Sequence, residues 1–213
     1  MKTQIKICGL STPETMDAAI DAGATHVGLV QYEKSPRHVP LEDAAKLRAR
    51  VPATVKVVMV TVAMTGEELA RAFVAIKPDI VQFHGSETID WMAAQRQNLK
   101  IETWRAVGLR DHGSLERSRR FVGVCDRVLF DAPAKSLPGG NGVSFQWDLL
   151  DGWTPFIPWG LAGGLNPDNV ADAISRTGAP LVDASSGLES APGVKDAGRI
   201  RAFCDAVRSA SPE

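Results

Sequence analysis

Trp159-Gly160-Leu161-Ala162-Gly163-Gly164-Leu165-Asn166-Pro167-Asp168-Asn169-Val170 is the stretch from which the fold is read. Residues 156–161 form an apolar run of strand length, and residues 170–176 carry the spacing of an amphipathic helix. Between them stand two glycines and a helix-start signal. Asn166 is suited to capping, Pro167 to the first helical position and Asp168 to the first turn. Glycines lack a Cβ, so their backbone N–H groups can approach an anion closely. Alone, a Gly-Gly pair is most simply a tight strand-to-helix turn. A second stretch of the same kind follows one unit later, Val182-Asp183-Ala184-Ser185-Ser186-Gly187. Two consecutive strands that end in donor-rich turns describe a cup for phosphate.

Working outward, the same alternation fills the chain. Short apolar runs at residues 5–8, 26–30, 55–60, 80–83, 100–107 and 126–131 precede this unit, and one at 181–184 follows it. Helical patterns lie between them at 15–22, 41–50, 67–76, 88–96, 115–121 and 147–150, then at 170–176 and 196–209. Thr12 with Pro13 opens the first helix and Gly23 stops it, while Pro78 ends the third. Regular strand-then-helix alternation demands parallel strands joined by helical crossovers. Eight such units in 213 residues, with short connections and no dividing linker, predict a single-domain α/β (β/α)8 barrel over residues 1–213. The structural rival is a doubly wound open sheet, whose G-x-G-x-x-G fingerprint after the first strand is missing.

Composition narrows the function. The formal charge of −1, with Lys and Arg spread along the chain, leaves no footprint for nucleic acid or an anionic membrane. No apolar run is long enough to span a bilayer, and residues 1–6 have no apolar signal core, so a cytoplasmic protein is expected. The three cysteines stand far apart and the four histidines show no ligand spacing, so neither a disulfide framework nor a metal is expected.

Barrel enzymes build their chemistry at the C-terminal strand ends. Cys8, Arg37, His84, Asp131, Gly163, Gly164, Ser185 and Ser186 all fall at or just past such ends. Cys125 and Cys204 do not, and read as packing residues. A thiolate at the mouth can serve as base or nucleophile when positive charge lies near it. Asp131 ends an apolar strand, where an ionisable group is unusual without a task. Arginine offers a planar fork that suits a carboxylate, whereas His84 reads as a hydrogen-bonding support. Residues 132–143 form a Gly- and Pro-rich loop of a length often found covering active sites.

In order, the segments Lys6-Ile7-Cys8-Gly9, Lys34-Ser35-Pro36-Arg37, Val81-Gln82-Phe83-His84-Gly85, Leu129-Phe130-Asp131, Gly139-Gly140-Asn141-Gly142, Gly163-Gly164-Leu165-Asn166-Pro167 and Val182 to Glu189 make the chain resemble phosphoribosylanthranilate isomerases from end to end. The resemblance implies an Amadori rearrangement of N-(5-phosphoribosyl)anthranilate, a small phosphorylated substrate, without a cofactor; a monomer is expected. It implies Asp131 as general acid, Cys8 as general base, and surroundings that push their pKa values apart. It also implies Arg37 on the substrate carboxylate, and backbone amides around Gly163, Gly164, Ser185 and Ser186 on the phosphate. The family pattern is expected to carry Thr at Asn141, Asp at Gln146, Ser at Ala162, Val at Ala184 and an apolar or aromatic residue at Gln31. Gln31 is therefore expected to alter the pocket for the aromatic ring. The rivals are an aminoimidazole-carboxamide ribotide isomerase, which resembles two fused half-barrels with Asp at the position of Cys8, and a catalytically silent sugar-phosphate-binding barrel. A metal-dependent ribulose-phosphate epimerase is more distant, because its histidines have no counterpart.

Overall fold

A computed structural model describes residues 2–131 and 147–210; the loop expected over 132–143 and positions Asn141 and Gln146 lie outside them. Eight strands pair in parallel and in chain order, β1 returning to β8, so the sheet closes into a barrel. They are β1 (Gln4–Cys8), β2 (His26–Gln31), β3 (Lys56–Thr61), β4 (Ile80–Phe83), β5 (Glu102–Gly108), β6 (Arg127–Asp131), β7 (Trp159–Ala162) and β8 (Leu181–Ala184). The helices are α1 (Pro13–Asp21), α2 (Leu41–Arg50), α3 (Gly66–Ile76), α4 (Ile89–Leu99), α5 (His112–Arg117), α6 (Val170–Thr177) and α7 (Ala197–Ala210). The closed barrel removes the open-sheet alternative.

Local chemistry sets the helix starts. The Thr12 hydroxyl accepts from the Thr15 amide ahead of Pro13, and Thr65 with Glu68 forms a reciprocal capping box. Three expectations need correction. The strand expected from residue 156 begins at Trp159, since Pro155 and Pro158 cannot donate to a ladder. The helix expected over 115–121 begins at His112, because the Asp111 carboxylate accepts from the Ser114 amide at 2.7 Å, and it tightens to a 3-10 turn at Ser118–Phe121. Asn166 caps a turn rather than α6. Its side chain accepts from the Asp168 amide at 2.8 Å, and the regular helix begins at Val170. Between β6 and β7 the described residues hold a 3-10 turn, Asp148–Leu150.

One element was not expected. After β8 the chain forms a 3-10 turn, Ser186–Leu188, and then an antiparallel hairpin of β9 (Glu189–Ala191) and β10 (Val194–Lys195). Its sequence signal is only the turn dipeptide Pro192-Gly193.

Strand residues alternate between two apolar layers. One set, including Ile7, Leu29, Met59, Phe83, Phe130 and Val182, packs with helix residues such as Met16, Leu69 and Phe203. The other fills the barrel with Val58, Ile80, Trp104, Leu129 and Leu181, reaching up to Val30, Val60 and Cys8. Gly160 makes this filling fit. A Cβ there would stand 2.7 Å from both Leu129 Cδ2 and Leu181 Cδ2. Two charges also enter: fully buried Lys6 donates to Asp183 Oδ2 at 2.7 Å, joining β1 to β8. Cys125 and Cys204 are buried, away from the mouth, with thiols pushed up by burial to about 12 and about 11.

Candidate active site

The strand ends open on a cavity of about 330 Å³, within the range of small-molecule pockets. Cys8, Arg37, His84, Asp131, Gly163, Gly164, Ser185 and Ser186 all line it. The side chain of Cys8 enters the barrel because its partner across the ladder is Gly28; a Cβ there would lie 2.8 Å from Cys8 Sγ. Asp131 ends β6, with His84 Nε2 3.7 Å from its Oδ2. Behind the imidazole, Gln82 Nε2 is 3.5 Å from His84 Nδ1.

The two turns after β7 and β8 fit together closely. Gly163 and Gly164 have φ of +90° and +63°, a region that L side chains rarely occupy. Gly164 O accepts from the Asn169 side-chain amide at 3.1 Å, which fixes the turn. A Cβ on Gly187 would collide with the Leu165 carbonyl, so the second turn rests directly on the first. Among the described residues the backbone amides of Gly163, Gly164 and Ser185 have no protein acceptor. Such free donors are what a phosphate group needs.

Below the mouth lies the Lys6–Asp183 pair. Burial lowers the Lys6 pKa, but Asp183 and Cys8 outweigh it, so the ammonium ends above its ordinary value. Burial raises the Cys8 thiol; Lys6 opposes this and Asp183 adds to it. Burial also raises Asp131, against the pull of His84. Both groups therefore shift in the same direction, upward. Burial is the main cause for the thiol, and Asp183 adds to it by offsetting the positive charge of Lys6 that would otherwise favour a thiolate.

Gln31 also needs correction. It is buried, donates to the Val39 carbonyl at 2.9 Å and faces a neighbouring groove, whereas Val30 and Tyr32 face the cavity. Strand alternation sets this. Ala162 lines the cavity, and Ala184 is buried in the helix-facing core. Lys6 and Asp183 had a signal that went unread, because Lys6 is two residues from Cys8 and shares its strand face. Asp183 Oδ1 is buried without a protein partner among the described residues, and the residue lines the cavity. Among the described residues no group of three His, Cys, Asp or Glu side chains is arranged to hold a metal, and no helix is long and apolar enough to cross a membrane.

Fold and mouth together define a barrel enzyme of the sugar-phosphate kind. The family model described as N-(5'phosphoribosyl)anthranilate (PRA) isomerase matches residues 5–206. An N-(5'-phosphoribosyl)anthranilate isomerase of Erythrobacter litoralis (strain HTCC2594) is 64% identical over 208 residues, covering 98% of this chain and all of its own. That of Rhizobium meliloti (strain 1021) is 45% identical over 99% of each chain. Among solved structures, the phosphoribosyl anthranilate isomerase of Thermotoga maritima superposes with a TM-score of 0.86 at 32% identity, covering 97% of this chain and 99% of its own. Another, in complex with reduced 1-(o-carboxyphenylamino)-1-deoxyribulose 5-phosphate, has a TM-score of 0.81 at 30% identity over the same shares. The chain belongs to the N-(5'-phosphoribosyl)anthranilate isomerase family, isomerases of tryptophan biosynthesis.

Proposed function

We propose that this isomerase rearranges N-(5-phosphoribosyl)anthranilate with Asp131 as general acid and Cys8 as general base. Asp131 gives its proton to the ribose ring oxygen, the C1–O bond breaks toward that oxygen, and the nitrogen lone pair forms a C=N iminium. The iminium acidifies the neighbouring C2–H. Cys8 takes that proton, and the released pair forms a C1=C2 bond as the iminium is neutralised. The resulting enol then gives its O–H proton to Asp131 while C1 takes the proton held by Cys8, which forms the 1-deoxyribulose 5-phosphate product and resets both groups. No redox partner enters, so the balance needs only these two proton carriers.

Arg37 takes the anthranilate carboxylate and the amides of the two turns take the phosphate. Holding both ends fixes the reacting carbons between acid and base. His84 supports Asp131, and Asp183 Oδ1 is an acceptor suited to a sugar hydroxyl. What supports the reading is that thiol, acid, arginine and both turns line one cavity of the right size. The chain is read as one cooperative unit, a cytoplasmic monomer with no cofactor or nucleic-acid partner; sedimentation of the purified protein tests the oligomeric state.

Substituting Cys8→Ala or Asp131→Ala is expected to lower kcat by about 10²-fold or more with the fold retained. The assay follows loss of substrate fluorescence, with circular dichroism as the fold check. Full activity in both variants would remove them from the chemistry. Binding of the reduced product analogue without turnover by the native chain would favour the catalytically silent alternative.

A further inference from the structure

Arg37 is not a free arginine at a rim. Its Nε donates to Glu189 Oε1 at 2.6 Å and its Nη2 to Oε2 at 2.8 Å, a two-point grip across 152 residues of chain. Nη1 makes no hydrogen bond among the described residues, and the residue lines the cavity. Its stem is confined too, because a Cβ on Gly9 would stand 2.7 Å from Arg37 Cδ.

The gripping carboxylate is itself held from every side. Glu189 Oε1 also accepts from Lys195, whose side chain is fully buried, and Oε2 accepts from the Gly193 amide at 3.2 Å. The Glu189 carbonyl accepts from Arg199 Nη1 at 2.6 Å. The hairpin tip meets the arginine loop directly: Gly193, at φ +81°, lies so close to the Pro36 carbonyl that a Cβ would collide with it. Lys195 Nζ also lies 3.4 Å from Ser185 Oγ in the phosphate turn. One short hairpin therefore touches both anion-binding ends of the cavity. A carboxylate flanked by two cations leaves one net positive charge there, so Arg37 keeps its attraction for an incoming anion while losing freedom of movement.

We propose that Glu189, braced by Lys195, is the positioning residue that aims the Arg37 guanidinium at the substrate carboxylate. This rests on the role given to Arg37 above. Neither Glu189 nor Lys195 needs to touch substrate. An ionic hydrogen bond delivered by a pre-set fork loses less side-chain entropy than one delivered by a mobile arginine.

The test compares two substrates, N-(5-phosphoribosyl)anthranilate and N-(5-phosphoribosyl)aniline, which lacks the carboxylate. Glu189→Gln is expected to raise KM for the first by about tenfold or more, with kcat changed far less and KM for the second nearly unchanged. Combined with Arg37→Ala it should cost no more than Arg37→Ala alone. An unchanged KM for the carboxylate substrate, or an equal rise for both substrates, overturns the proposal. Should Glu189→Gln fail to fold, Glu189→Gln with Lys195→Gln removes both charges together and carries the same comparison. Arg37→Ala separates the two claims. If it does not distinguish the substrates, the role of Arg37 falls and this proposal with it. If it does and the Glu189 variants do not, only this proposal falls.

Discussion

At the scale of single residues, the proton inventory of Cys8 and Asp131 makes a pH prediction. Both are pushed above their ordinary values of 9.0 and 3.8, mainly by burial. With Asp131 as the proposed acid and Cys8 as the proposed base, the working form holds one proton between them, on Asp131, and is a tautomer of the form with that proton on sulfur. Both tautomers carry the same total charge, so their ratio does not change with pH. A bell-shaped kcat/KM profile is expected. Its acid limb lies above the usual carboxylate range, where Cys8 and Asp131 are both protonated and the base is lost. Its alkaline limb lies above the usual thiol range, where both are deprotonated and the acid is lost. An acid limb at an ordinary carboxylate pKa would mean that another group titrates. A second residue prediction concerns Gly28. Gly28→Ala would put a Cβ 2.8 Å from Cys8 Sγ and 3.1 Å from Cys8 Cα. It is expected to cost about 1–3 kcal/mol in urea denaturation and to lower kcat with little change in KM, since Arg37 and the phosphate turns are untouched. An unchanged kcat would mean that the thiol position is not critical.

At the scale of elements, what the sequence made legible follows from how local each signal is. Strand β8 and helix α2 match the expected limits because an apolar run or a 3.6-residue pattern meets clear stops on both sides. Helix α5 was misplaced because its start depends on one Asp111 side chain, which a periodic pattern does not weigh. Hairpin β9–β10 was missed because what holds it lies outside it: Arg37 from the β2–α2 loop, Arg199 from α7 and Pro36 beneath its tip. The Arg37 side chain was read from the sequence, but its grip by Glu189 depends on a contact between distant loops. This element should announce itself in acid. Burial raises the Glu189 pKa, but Arg37 and Lys195 outweigh that and bring it to about 2, below its ordinary 4.5. The folded form then holds fewer protons than the unfolded form. Its contribution to stability is full above about pH 4.5 and is lost as pH falls through about 2. Urea midpoints of the native chain and Glu189→Gln, followed from pH 5 to 2, should converge as the pH drops. A gap that stays constant would show that the carboxylate is not charge-paired in solution.

At the scale of the whole molecule, closing eight strands in chain order leaves one seam, where the first strand meets the last. Residues 4–7 pair with residues 181–184 along it, and the Lys6–Asp183 pair bridges it inside the barrel. A buried charge pair is weak evidence for added stability, because desolvation offsets the attraction, but losing one partner strands the other. Lys6→Met is therefore expected to cost about 3–5 kcal/mol, with Asp183 left charged and buried under the site. Replacing both together, Lys6→Met with Asp183→Leu, should recover most of that loss, since the two side chains then join the apolar filling around Val58, Leu129 and Leu181. Activity should not return with stability. The double variant removes the cation beside Cys8 and the buried, unpartnered Oδ1 of Asp183, a residue that lines the cavity, so the barrel would close without the charges proposed to serve the site. Urea unfolding and turnover measured on both variants separate these outcomes. A double variant that regained stability and full kcat together would reduce the pair to a structural clasp, whereas one no more stable than Lys6→Met would show that the ion pair itself holds the seam.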